Sequence, residues 1–252
     1  MRELERDHPS ASAHSDVAIV GAGRLGRALA SALREDGYAV SGPLGRGVAP
    51  GSGIILLCVP DQEIAAAAAC LPAGRLVGHC SGATGLAPLA PHEAFSLHPL
   101  MTVTREGARF QGAGAAIAGA TERAVGVARE LATALGMQPV EVADDDRVAY
   151  HAAASMASNF LVTLEAAAER LAATAGVDRG LLVPLVRATV ENWADLGPEG
   201  ALTGPVARGD EETVARQRVA VAERAPELLE LFDALAEATR GLARRRRPEV
   251  PA

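Results

Sequence analysis

His151, Ser155 and Asn159 recur at i, i+4 and i+8 in the Ala-rich stretch HAAASMASNF. Residues four apart stack along one helix face, so the spacing predicts a polar stripe on an apolar helix. An imidazole titrates near neutrality, which makes His151 the candidate proton donor. Asn159 can hold a substrate carbonyl or carboxylate, or orient a cofactor amide, and Ser155 can donate a hydrogen bond. The same three residues can instead form a structural polar seam between two domains. Thr203-Gly204-Pro205 and Arg208 make a loop whose guanidinium can clamp a substrate carboxylate with two parallel bonds. Its structural alternative is Asp210 as a helix cap paired with Arg208. His98, followed by Pro99, either lines a substrate pocket or bonds to the turn that Pro99 fixes.

Several chemistries are excluded. The chain of 252 residues contains no lysine, so all 24 basic side chains are arginines. Schiff-base, P-loop and acid–base lysines are therefore absent, and arginine stays protonated near neutrality. Nothing resembles a nucleophile elbow. No His, Cys or Asp cluster has metal-ligand spacing, so no metal is expected.

The element that must position these groups is Asp16–Leu29. An apolar run, Val17–Val20, ends at Gly21, and Gly21, Gly23 and Gly26 spell G-x-G-x-x-G before Ala-rich helical sequence. In that order the first glycine allows a sharp turn, the second lets backbone N–H groups approach a pyrophosphate, and the third lets helix and strand pack closely. Gly21, Ala22, Gly23, Arg24, Leu25 and Gly26 are thus expected to bind the coenzyme, the phosphates facing the helix N-terminus. NAD sites place an acidic residue about 20 residues further on. Here Ser41-Gly42-Pro43-Leu44-Gly45-Arg46-Gly47 has no carboxylate, and Arg46 either meets a 2′-phosphate or is a solvated loop arginine. NADP is favoured, with NAD as the alternative.

The rest of the first half alternates strand and helix. Strands are expected at Tyr38–Ser41, Gly53–Val59, Arg75–Cys80, Ala94–Leu97, Gly114–Ala118 and Pro139–Val142. Helices are expected to about Glu35, from Asp61 as N-cap to Cys70, and over Glu122–Leu135. This alternation implies a parallel sheet with right-handed crossovers. Ligands gather at the carboxyl ends of such strands, so Val59 and Pro60 are expected beside the coenzyme, and Ser81 and Gly82 at its nicotinamide ribose. His98 is expected just past a strand end on the same side.

From Arg147 the sequence reads as helices only. One long helix is expected over 147–175, a second from Asp178 to about Leu196, and a third capped by Asp210 to about Leu242. The expected organisation is a disordered tail at 1–15, a dinucleotide-binding domain at 16–143, a helical domain at 144–242 and a basic tail at 243–252. Only seven residues are aromatic, so an Ala-rich helical half buries little area and points to a homodimer formed through it.

Composition is globular, 49% hydrophobic and 22% charged. The net charge of −7 disfavours nucleic-acid binding, and no apolar run approaches the ~20 residues of a membrane span. Residues 1–15 contain no apolar stretch of the kind a signal peptide needs. The cysteines, Cys58, Cys70 and Cys80, are few and odd in number, which suits a reducing cytoplasm.

GAGRLGRALA, CVPD, HCSGATG, SLHPLM, HAAASMASNFLVTL and LTGPVARGD together resemble the Rossmann-like proteins with an uncharacterised helical C-terminal domain. The resemblance spans about Asp16 to Leu242. That family is similar in architecture to 6-phosphogluconate dehydrogenase, 3-hydroxyisobutyrate dehydrogenase, ketopantoate reductase and pyrroline-5-carboxylate reductase. It implies a Rossmann domain, a helical dimerisation domain and a nicotinamide coenzyme. The glycine fingerprint, the missing acidic residue and the polar stripe point to reduction of a small carbonyl or imine compound, a 2-oxo acid such as ketopantoate being one such substrate. The hydroxyacid dehydrogenases and ketopantoate reductase carry K-x-x-x-N on the first helix of the second domain; here the pattern is Ser155-x-x-x-Asn159. The asparagine matches and the lysine does not, which moves the proton-donor role to His151. A non-catalytic coenzyme-binding sensor is the alternative that the lysine-free site suggests.

Overall fold

The computed structural model describes residues 16–45, 50–51, 53–105 and 107–246. Arg46 and the tail at 1–15 lie outside the described residues, as does the basic tail beyond 246. The chain divides into two compact units, one ending at Ser158 and one beginning at Asn159.

The first unit is a seven-stranded sheet. Its strands are β1 Val17–Val20, β2 Val40–Leu44, β3 Ile54–Leu57, β4 Leu76–His79, β5 Glu93–Leu100, β6 Gly114–Gly119 and β7 Gln138–Glu141. Their order is β2-β1-β3-β4-β5-β6-β7. β1 to β5 run parallel, as the alternation predicts. The expectation of a wholly parallel sheet is corrected at β5 and β6, which pair antiparallel, β7 then lying parallel to β6. Among the described residues between β5 and β6 there is no helix to carry the chain across a face, and β6 returns beside β5.

Helices α1 Arg24–Glu35, α2 Ile64–Ala69 and α3 Glu122–Ala134 pack on the sheet. Val17, Ile19, Leu56 and Leu97 join α1 and α3 residues in one core cluster; Ala18, Ile55, Leu57 and Val77 join α2 in another. Burial on both faces is why these strands read as unbroken apolar runs. Asp61 does not cap a helix as expected. It opens a 3-10 turn, Asp61–Glu63, whose N-cap is Pro60.

The expected boundary at 143/144 moves to Ser158/Asn159. Asp144 and the first helix after it are hydrogen-bonded to the sheet unit, which therefore keeps them. The single helix expected over 147–175 is α4 Arg147–Ser155, a π-helical turn at Met156–Phe160, and α5 Leu161–Ala173. A π turn holds more residues than an α turn, so the α-helical phase behind the His151–Ser155–Asn159 stripe is interrupted before its last member.

The second unit continues with α6 Arg179–Ala201, α7 Pro205–Arg208, α8 Glu211–Arg224 and α9 Leu229–Arg246. Asp178 and Asp210 cap α6 and α8 as expected, accepting from the N–H groups of Gly180 and Thr213. Its core is small: Val221, Ala225 and Leu228, with Leu171 and Phe232 against them. Neither α5 nor α6 has a buried residue. No helix among the described residues is long and apolar enough to cross a membrane.

Candidate active site

The glycine fingerprint forms the turn between β1 and α1. Gly21 has φ +112°, which favours glycine, and a Cβ there would overlap the Cys58 carbonyl. A Cβ at Gly26 would overlap the Gly21 carbonyl and lie 3.2 Å from Cys58 Cβ. These two glycines bring strand, turn and helix into contact. Gly23 is different, because a Cβ built there meets nothing within 4 Å. Its lack of a side chain is not required by the fold and leaves open space before the helix. Gly23 is also the N-cap of α1, and no side chain caps the first N–H groups. Those amides, beside the exposed Arg24, could hold an anion. Arg27 donates to the Ala22 carbonyl and braces the turn. Leu25 packs against the core. Val59 and Pro60 follow β3 at the same carboxyl edge, Val59 resting on the α2-side core.

The segment after β4 is held by its own hydrogen bonds. The Ser81 hydroxyl donates to Asp61 Oδ2 over 2.6 Å and accepts the N–H groups of Ala83 and Thr84. The Thr84 hydroxyl donates to the same carboxylate oxygen. Ser81 N–H donates to His79 Nδ1, so the proton of this imidazole sits on Nε2 and is given to the Gly85 carbonyl. Burial holds the His79 pKa below its usual value. Ser81 itself is buried and is thus a fastener of this segment.

His98 is not past a strand end, as the sequence suggests, but inside β5 opposite Ala116. It still reaches the carboxyl edge. His79 pairs with Ser96, so β5 carries His98 two residues beyond the end of β4. There His98 Nδ1 lies 2.9 Å from the Tyr150 hydroxyl, and its ring meets that of His151 edge-on with centroids 5.9 Å apart. Gly82 fits against both imidazoles. A Cβ on it would lie 2.6 Å from His151 Cδ2 and 2.9 Å from His98 Nε2. Burial, with the His151 and Arg147 charges, lowers the His98 pKa to about 4, so this ring is neutral at pH 7. Burial raises the Tyr150 phenol, against the pull of Arg147.

Arg147 organises the cluster from beneath. It opens α4, its side chain is 0% exposed, and it donates to the Ser81 carbonyl and the Ser96 hydroxyl. Its Nε lies 3.3 Å from Asp144 Oδ1 without hydrogen-bond geometry. Asp144 Oδ2 in turn accepts the Leu86 N–H. A cation at a helix N-terminus opposes the helix dipole, and its burial lowers the guanidinium pKa. Asp144 and the two oxygen acceptors offset those costs. Tyr150 and His151, three and four residues on, share the face that Arg147 fixes.

The structure therefore brings together Ser81, Gly82, His98 and His151 in the first unit. Ser155 is half-buried near the end of α4. Asn159, Thr203 and Arg208 are exposed and belong to the second unit, Asn159 in the π turn, Thr203 just before α7 and Arg208 at its end. Sequence reasoning missed Tyr150, Arg147, Ser96 and the role of Asp61. Tyr150 carries one legible signal, as one of two tyrosines in the chain and the neighbour of His151.

The fold is shared with solved structures. A candidate NADP oxidoreductase from Bacteroides fragilis superposes with a TM-score of 0.77 at 19% identity, covering 90% of this chain and 98% of its own. A protein from Thermotoga maritima gives 0.76 at 24%, covering 92% and 100%. A reductive aminase from Aspergillus terreus, solved with NADPH and ethyl levulinate, gives 0.67 at 14%, covering 93% and 100%. These likenesses establish the Rossmann-like fold that the motifs imply. No curated protein matches the sequence. The model of one family, described as a domain of unknown function, DUF2520, matches residues 113–239, just over half of the 252, and the protein belongs to that family.

Proposed function

We propose that the protein is an NADP-dependent oxidoreductase that moves a hydride between the coenzyme and the carbonyl or imine carbon of a small molecule. The carrying observation is the turn at Gly21–Gly26, where two glycines are required by packing and the third, Gly23, leaves space in front of uncapped helix amides. That geometry fits a pyrophosphate. Bound NADPH would supply the hydride. Gly21–Gly26 would hold its phosphates, and the Val59–Pro60 and Ser81–Gly82 segments would flank it at the carboxyl edge. Neighbours of this fold support the assignment: the reductive aminase was solved with NADPH, and a relative in shape from Streptococcus pyogenes is a 1-pyrroline-5-carboxylate reductase. The missing carboxylate after β2 favours NADP over NAD.

His151 is the proposed proton donor to the substrate heteroatom. His98 is unprotonated at pH 7 and hydrogen-bonded to Tyr150, so it orients the phenol at the edge of the same cluster. Asn159, Thr203 and Arg208 are proposed to bind substrate. The protein is further proposed to be a homodimer through its helical unit, since Leu181, Leu185, Trp193 and Leu196 of α6 are all more than half exposed.

Nicotinamide fluorescence under titration with NADPH tests the proposal. Gly23→Ala is the informative variant, because its Cβ meets no protein atom yet occupies the phosphate space. Saturable binding in the wild type, lost in a folded Gly23→Ala protein, is expected. No binding at millimolar NADPH overturns the proposal.

A further inference from the structure

Cys58 and Cys80 stand one residue past the ends of β3 and β4. The two strands are parallel and in register, Leu57 opposite His79, so the cysteines are the next cross-strand pair. Registered residues on neighbouring parallel strands point to the same face. The two sulfurs lie 3.7 Å apart, each half-buried against the core beneath α1. Adjacent strands are about 4.8 Å apart, within the Cα separation of about 4.4–6.8 Å that a disulfide spans. A bond of about 2.05 Å requires side-chain rotation rather than movement of the sheet.

We propose that Cys58 and Cys80 form an oxidisable dithiol whose disulfide weakens the coenzyme seat; the second clause rests on the function proposed above. A peroxide is the oxidant. The Cys58 thiolate attacks a peroxide oxygen, the O–O bond breaks, and Cys58 becomes a sulfenic acid while hydroxide leaves. The Cys80 sulfur, deprotonated as it attacks, then displaces the sulfenic oxygen, which departs as water. In total two thiols and one hydrogen peroxide give one disulfide and two waters; the sulfurs are oxidised and the peroxide is reduced. The order of attack follows from the pair. Either thiol can donate across the 3.7 Å contact; that contact and burial raise the Cys80 pKa, so Cys58 is assigned as the attacking sulfur.

The consequence lies in what Cys58 touches. Its carbonyl fills the position a Gly21 side chain would need, and its Cβ faces Gly26. Closing the gap from 3.7 Å to about 2.05 Å pulls on the Cys58 backbone just past the end of β3, and so on the carbonyl and Cβ that support the glycine turn, while the strands stay in register. Cys70 is exposed at the end of α2 and belongs to neither contact.

The test uses the full chain carrying Cys70→Ala, which removes linkage between molecules. Reduced protein is treated with stoichiometric hydrogen peroxide, then read by intact mass, by peptide mapping and by NADPH titration. The expected results are the loss of two hydrogens, a peptide cross-link joining Cys58 to Cys80, and a fall in NADPH affinity on the order of tenfold, reversed by dithiothreitol. A Cys80→Ala variant should bind NADPH equally before and after peroxide. Recovery of free thiols or only sulfinic acid at these positions overturns the dithiol. A cross-link that leaves affinity unchanged, or a Cys80→Ala protein that remains peroxide-sensitive, overturns the switch. If the reduced protein binds no NADPH, the proposed function fails, while the mass and peptide readouts still decide the dithiol.

Discussion

Arg147 donates to the Ser81 carbonyl across 66 positions of sequence, tying the first turn of α4 to the segment that follows β4. Through this bond the helix carrying Tyr150 and His151 and the strand edge carrying His98 share one anchor. Arg147→Met removes the charge and the donors while keeping most of the volume. It leaves the Ser81 carbonyl and the Ser96 hydroxyl short of a partner, so unfolding in urea should show a loss of about 2–4 kcal/mol. Arg147→Lys, which keeps the charge but not the fork, should lose less.

The neutral His98 makes stability depend on pH. Its pKa is about 4 in the folded protein against an ordinary 6.5. Between those values the unfolded chain takes up a proton that the native state refuses, so stability is full above pH 6.5 and falls as pH drops toward 4. His79 is depressed as well and acts in the same direction. His98→Gln should flatten the slope between pH 6.5 and 4 by on the order of 2 kcal/mol. Urea midpoints across that range check it. An unchanged slope would mean that the imidazole is already protonated in the folded state.

Gly82 is closed to any side chain. Gly82→Ala places a methyl 2.6 Å from His151 Cδ2 and 2.9 Å from His98 Nε2, so at least one ring must move. NADPH affinity should fall less than turnover on any accepted substrate, which drops by on the order of a hundredfold, the scale of misplacing a catalytic group. The imidazole proton resonances of both histidines should shift in the same variant.

The second unit cannot cover its own apolar surface. Trp193 is 57% exposed and Leu185 65% exposed on a helix without a buried residue. Light scattering should report a dimer, and Leu185→Glu should shift it toward monomer, with the indole emission of Trp193 moving to longer wavelength. A monodisperse monomeric wild type would remove the proposed homodimer.

What was legible in the sequence was local. Gly21, Gly23 and Gly26 follow an apolar run and precede a helix within a few residues, so strand, turn and helix could be placed from spacing alone. The buried strands announced themselves as continuous apolar runs. Asp61 misled because an acid after Pro60 resembles a helix cap, whereas its carboxylate serves Ser81 and Thr84, twenty and more positions away. Arg147 was silent for the same reason: no spacing rule pairs a helix-opening arginine with Ser81 and Ser96. The π turn at Met156–Phe160 was equally hidden, since its residues are as compatible with an α-helix as their neighbours are.

The overshoot of β5 past β4 has a bearing on how this edge can vary. His98 is carried within a hydrogen-bonded ladder, with β6 alongside it, and not on a free connection. Insertions in the connection between β5 and β6 can change its length without shifting that imidazole, whereas the 82–86 segment packs against the ring and cannot be rebuilt so freely. The molecule thus separates an imidazole fixed by strand register from a connection that is free to vary.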